Sequence, residues 1–152
     1  MALDLYREVS TGTYVAYSRY GEDDGLLPIT STHDGTLGEF VELKIFVRND
    51  DITEWYSNIT VRPVCNTSPD ETDGITTGYG IKLFAGDTQP TEAEWEATDY
   101  ANTINIDDIG EAESGDVSTY SPFWYRAEVP AGSPINNREN IVLKLNYVAN
   151  VT

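Results

Sequence analysis

One cysteine, one histidine and one methionine occur in 152 residues. Each scarcity removes a class of explanation. With Cys65 alone, no disulfide forms within the chain, so an apolar core has to hold the fold. Cys65 follows the strand-like run Ile59–Val64, where a buried, inert thiol is expected. His33 lies in a Ser-Thr-His-Asp-Gly segment and is the only conventional general base. Serine or cysteine hydrolysis needs such a base beside a nucleophile, and neither a Gly-x-Ser-x-Gly elbow nor a local cysteine signature accompanies it. A zinc site asks for several His or Cys ligands. A phosphate loop asks for a Gly-rich turn ending in lysine, which is missing. Carboxylate pairs of the glycosidase kind carry no signal among 26 acidic residues. The inventory points away from an enzyme, with no catalytic residue and no cofactor expected.

Basic residues are also few, 9 against 26 acidic, for a net charge of −17. A field of that sign repels phosphate backbones and anionic lipid, which excludes nucleic acid and membrane surfaces as natural partners. No run approaches the ~20 apolar residues of a membrane span. Met1–Gly12 has neither an apolar run nor a cleavage pattern, so no signal peptide is expected. Calcium is the one ion the loops could take, through Glu22-Asp23-Asp24, Asp50-Asp51, Asp70-Glu71 with Asp73, or Asp107-Asp108. None of these follows the twelve-residue EF-hand pattern, and Asp in turns is ordinary.

Helix signals are scarce too. Thr91-Glu92-Ala93-Glu94 has the form of a capping box, with Thr91 at the N-cap and Glu94 three residues on. It predicts one short helical turn near 91–97.

What the chain has in abundance is alternation. Val41, Leu43, Ile45 and Val47 share one parity. Tyr79, Ile81, Leu83 and Ala85 share another. Phe123, Tyr125, Ala127 and Val129 repeat the pattern, as do Ile141, Leu143, Leu145 and Tyr147. A period of two marks half-buried strands. With Thr13–Tyr20, Trp55–Val64 and the weaker Thr103–Ile109, the count is about seven. Asn49-Asp50-Asp51 and Gly86-Asp87 punctuate them, and Gly21–Gly38 reads as a long loop containing Pro28. No helical crossover separates the strands, which argues against a parallel α/β sheet. The expected fold is all-β: an antiparallel, Ig-like β-sandwich of about seven strands, with a jelly roll or small barrel as the alternative. Residues 1–12 read as an N-terminal arm and 13–152 as a single domain.

The outward parity is less clean. It carries Phe40, Phe46, Phe84 and Trp124, four large aromatics where solvent-facing residues are expected. Such residues form a contact patch unless the arm, a loop or the short helix covers them.

The run Phe40–Asp51 (FVELKIFVRNDD) and then Trp55–Val61 (WYSNITV) resembles the strand-turn-strand of Ig-like sandwich domains. Gln89–Trp95 (QPTEAEW) and Pro122–Gly132 (PFWYRAEVPAG) are similar to segments of small accessory virion proteins of tailed bacteriophages. The resemblance covers roughly Phe40 to Val148. It implies a non-enzymatic structural protein of the virion, made in the host cytoplasm, at the head, neck or tail. Such proteins decorate and reinforce a particle through contacts with the major capsid protein or another virion protein, often as homo-oligomers. The alternative is a carbohydrate- or surface-binding sandwich module used in host adhesion, with Trp55, Trp95 and Trp124 as the stacking rings.

Overall fold

The computed structural model describes residues 3–18, 26–28, 39–49, 51–65, 80–110, 120–129 and 141–151. Nine strands and one helix lie within them: β1 (Leu3–Ser10), β2 (Thr13–Ser18), β3 (Leu26–Pro28), β4 (Glu39–Asn49), β5 (Glu54–Cys65), β6 (Gly80–Ala85), α1 (Glu92–Glu96), β7 (Ile104–Ile106), β8 (Tyr120–Val129) and β9 (Ile141–Val151). They build two antiparallel sheets, ordered β2-β1-β4-β8-β6 and β3-β9-β5-β7. The molecule is a β-sandwich.

The alternating runs explain its interior. Register places Ile45 beside Phe123 and Leu43 beside Tyr125, and then Leu83 beside Tyr125 and Ile81 beside Ala127. These residues pack against Ile59, Val61, Ile104, Ile106, Leu143 and Leu145 of the other sheet. Phe123, Leu83, Ile45 and Val61 are fully buried. Each large apolar side chain removed from water contributes about 1.5–3 kcal/mol. In β5 the inward parity changes partway along. Tyr56 is buried, and so are Ile59 and Val61. A register shift between Ser57 and Thr60, with Asn58 at φ 52°, makes the change.

From β3 onward each strand lies in the sheet opposite to its predecessor: β3, β5, β7 and β9 in one, β4, β6 and β8 in the other. Among the described strands, β1 and β2 are the one pair of consecutive partners. An immunoglobulin sandwich instead pairs consecutive strands within a sheet. Of the two sandwich forms that the sequence allows, the jelly-roll path fits this order, with the β1–β2 hairpin added beside β4.

Two expectations need correction. The stretch read as an arm, residues 1–12, contains a strand of the domain. Leu3–Ser10 is an interior strand of the five-stranded sheet, paired with β2 on one side and β4 on the other. Leu3 and Leu5 are completely buried and enter the core. The long loop predicted for Gly21–Gly38 contains β3, which pairs with Val142–Lys144 of β9. His33, Glu22-Asp23-Asp24, Asp50 and the Asp70–Asp73 cluster lie outside the described residues.

The helix forms where its capping box predicts. The Thr91 hydroxyl accepts from the Glu94 N–H at 3.2 Å, and the Glu94 carboxylate accepts from the Thr91 N–H at 3.1 Å. After α1 the chain returns along the free edge of β6. The Ala101 N–H donates to the Ile81 carbonyl at 2.7 Å. The Asn102 amide donates to the Leu83 carbonyl and accepts from the Leu83 N–H, at 2.7 and 2.8 Å. Ala101 takes φ 56° to make this approach, a conformation L-residues seldom adopt. That edge is therefore closed without another strand.

Candidate functional site

The four aromatics singled out by parity all lie on the outward face of the five-stranded sheet. Register sets the rows. Phe46 stands opposite Pro122, Lys44 opposite Trp124 and Glu42 opposite Arg126, while Phe40 stands opposite Glu128. On the far side of β8, Phe84 stands opposite Trp124, Lys82 opposite Arg126 and Gly80 opposite Glu128. Charged and aromatic side chains thus share this face, and the row Glu42–Arg126–Lys82 is charged throughout.

Three of the four aromatics are covered, each differently. Phe46 is only 4% exposed. Its ring meets Tyr14 edge-on at 5.1 Å, and Tyr14 stacks on Tyr120 at 3.7 Å. The Arg48 guanidinium lies over the Tyr120 ring at 5.0 Å and near the Tyr6 ring at 5.7 Å. The β1–β2 hairpin therefore supplies the cover at this end. Phe84 is half-buried and meets Trp95 of α1 at 6.0 Å. Trp124 is half-buried and donates its indole N–H to the Asp87 carbonyl at 3.1 Å. Phe40 alone remains well exposed, at 52%.

The cover over Phe84 and Trp124 is a strap, Gly86–Asn102, that runs across the outward face. Its fastenings are mostly polar. Lys44 pairs with Asp87. Gln89 donates to Glu42 at 2.6 Å. Glu92 takes a two-pronged hydrogen bond from Arg126, at 2.8 and 3.1 Å. Lys82 donates to the Trp95 carbonyl at 2.8 Å. Tyr100 donates its hydroxyl to Glu128, and its ring lies under the Lys82 ammonium at 4.5 Å. Gly80 makes this possible, because a Cβ there would stand 2.1 Å from the Tyr100 ring.

Arg126 is the hub. It is 3% exposed, yet three carboxylates surround it: Glu92, Glu128 at 3.0 Å and Glu42 at 3.6 Å. Its guanidinium also sits 3.9 Å from the centre of the Phe40 ring. Burial alone would lower its pKa, but the Glu92 hydrogen bond and the three carboxylate charges outweigh that and raise it. Reciprocally, the hydrogen bond from Arg126 holds Glu92 below the usual carboxylate range. The hydrogen bond to Glu128, then burial, raises the Tyr100 hydroxyl.

The result is a small exposed aromatic pair on a rigid ionic bed. Phe40 and Tyr100, 52% and 42% exposed, both meet Glu128, Phe40 as its neighbour across the strands and Tyr100 through its hydroxyl. Sequence reasoning found Phe40 by parity and named Trp95 as a stacking ring, but it did not find Tyr100 or Arg126. The outward parity of β8 also carries Tyr120 and Arg126, which was the available signal for the cluster. Tyr100 follows the helix in a turn, where no period marks it.

The rings proposed for carbohydrate stacking do not converge. Trp95 is 1% exposed and Trp124 is tied to the strap, both on the five-stranded sheet, while Trp55 is in the other sheet. Of the acidic loops, Asp107 and Asp108 are exposed, and Asp51 accepts the N–H and hydroxyl of Thr53 at 2.8 and 2.6 Å. Among the described residues no three His, Cys, Asp or Glu side chains converge on a metal position. Among the same residues no helix is long and apolar enough to cross a membrane. No family model, no curated protein and no solved structure matches the chain.

Proposed function

We propose that this chain is a non-enzymatic structural protein of a virion, decorating or stabilising a phage capsid or another particle surface through protein–protein contacts. The observation that carries the reading is the exposed pair Phe40 and Tyr100, held on the buried Arg126 hub. Aromatic residues beside an arginine on rigid elements are the composition of interface anchors. The net charge of −17 supports a partner with a basic surface, for example the major capsid protein, and steers the encounter. A carbohydrate-binding role draws less support, because Trp95 is buried and offers no stacking face.

The test is a binding assay on purified particles stripped of the chain. The chain is expected to rebind, to raise the temperature at which particles rupture, and to lose binding in a Phe40→Ser, Tyr100→Ser double variant. Absence of the chain from purified virions, or rebinding unaffected by the double variant, overturns the proposal.

A further inference from the structure

The two sheets have four edge strands, β2, β6, β3 and β7, and three of them carry a device against pairing. The edge of β6 is closed by Ala101 and Asn102. β3 is three residues long and contains Pro28. β7 is also three residues long. Very short edges, proline and covering segments are the usual protections against edge-to-edge association. β2 has none of them among the described residues. It is six residues, TYVAYS, rich in β-branched and aromatic side chains. Its pairing with β1 shifts register twice, at Tyr17 of β2 and at Val9 of β1; the second extra residue lies on β1, so Thr13–Ala16 of β2 run on without an inserted residue.

The surroundings of β2 expose it further. β1 pairs with β4 only through Leu3–Tyr6, while Arg7, Glu8 and Ser10 pair with β2 alone. Burial stops at the same point, so the outer half of the hairpin stands beyond the core. Val9 and Val15 are 50% and 44% exposed there.

Charge selects the occupant. The chain carries −17, so two copies repel wherever their acidic surfaces face each other. The nine residues Ser10–Ser18 contain no charged side chain at all. A basic partner would gain nothing from that neutral strip, whereas a second copy needs it. Exposed charges beyond about 8 Å are screened at physiological salt, so the local neutrality governs the contact.

We infer that β2 pairs antiparallel with β2 of a second copy, joining two five-stranded sheets into one continuous sheet across a two-fold axis. Its use on a particle rests on the function proposed above, but the pairing itself does not. A six-residue strand is small beside the roughly 800 Å² per partner of a stable interface, so the free dimer is weak. Concentration on a lattice would favour it.

Sedimentation of the free chain over a dilution series up to about millimolar, where even weak pairing registers, tests this without any particle. The expected result is a mass rising from 16.9 kDa towards twice that value. Val15→Lys and, separately, Thr13→Lys should weaken the dimer at least about tenfold while leaving the melting transition in place. Val148→Lys is the control. It lies on Asn146–Val151 of β9, which runs past β3 and likewise has no second neighbour strand among the described residues. A chain that stays monomeric at the highest concentration overturns the inference. So does a dimer that survives both β2 variants, or one that dissociates with Val148→Lys instead.

Discussion

The five-stranded sheet has two faces built on opposite principles. The inward face is held mainly by apolar contact: Phe123, Leu83, Ile45 and Leu5 are fully buried against the second sheet. The outward face is held by directed bonds. Lys44, Glu42, Arg126, Lys82 and Glu128 each fasten one point of the strap that crosses it. The inward face sets the fold and tolerates no change of volume. The outward face sets which aromatics water and partners can reach, and its bonds respond to charge, salt and pH.

The largest effect should come from the inward face. Phe123→Ala removes a completely buried ring between β4 and β6. The expected loss is about 3–5 kcal/mol, read from urea unfolding. A loss below about 1 kcal/mol would mean that the face is not a packed core.

Arg126→Ala is the corresponding blow to the outward face. It strips the cation from Glu92, Glu42 and Glu128 and leaves like charges facing one another. Because Glu92 is 60% exposed, water relieves part of the penalty, and about 1–3 kcal/mol is expected. The signature should be local. Trp95, now under a loosened strap, should shift its fluorescence to longer wavelength before the sandwich unfolds. Coincident loss of both would show that the strap and the core are one cooperative unit.

Acid should separate the faces more gently. The pKa of Glu92 is lowered in the folded chain, so its bond to Arg126 contributes fully above the usual carboxylate range. That contribution is lost as pH falls through the lowered value. The core cluster of the inward rows contains no carboxylate to protonate. A pH titration should therefore expose Trp95 first, and Glu92→Gln should remove most of that pH dependence. An unchanged titration in Glu92→Gln would place the sensitivity elsewhere.

The contrast also explains what was legible in the sequence. Inward rows were readable because a period of two is a local property of each strand. The capping box was readable because Thr91 and Glu94 are three residues apart. β1 was not, because its buried half includes Asp4 at 0% exposure and its outer half is exposed, so no apolar alternation survives. β3 was too short and ends in Pro28. The four outward aromatics were found by parity, but their covers were not. Lys44 meets Asp87 across 43 positions and Arg126 meets Glu92 across 34, and nothing local announces such pairs. The expectation of an N-terminal arm failed for the same reason, since strand pairing between β1 and β4 is a long-range fact.

The smallest stability effect should come from Phe40, and there the two faces differ most in consequence. Phe40→Ser removes a half-exposed ring whose main contact is the Arg126 guanidinium at 3.9 Å. A cation–π contact of that kind contributes about 0.5–1 kcal/mol, and little apolar area is recovered by burial. Unfolding should move by no more than about 1 kcal/mol. Particle binding, if the proposed function holds, should fall at least about tenfold, because an exposed aromatic held rigidly loses little entropy on docking. The two readouts must part company for the outward face to be a contact surface. Should Phe40→Ser cost as much stability as Phe123→Ala, the ring belongs to the fold. Should it change neither quantity, the contact lies elsewhere on the molecule.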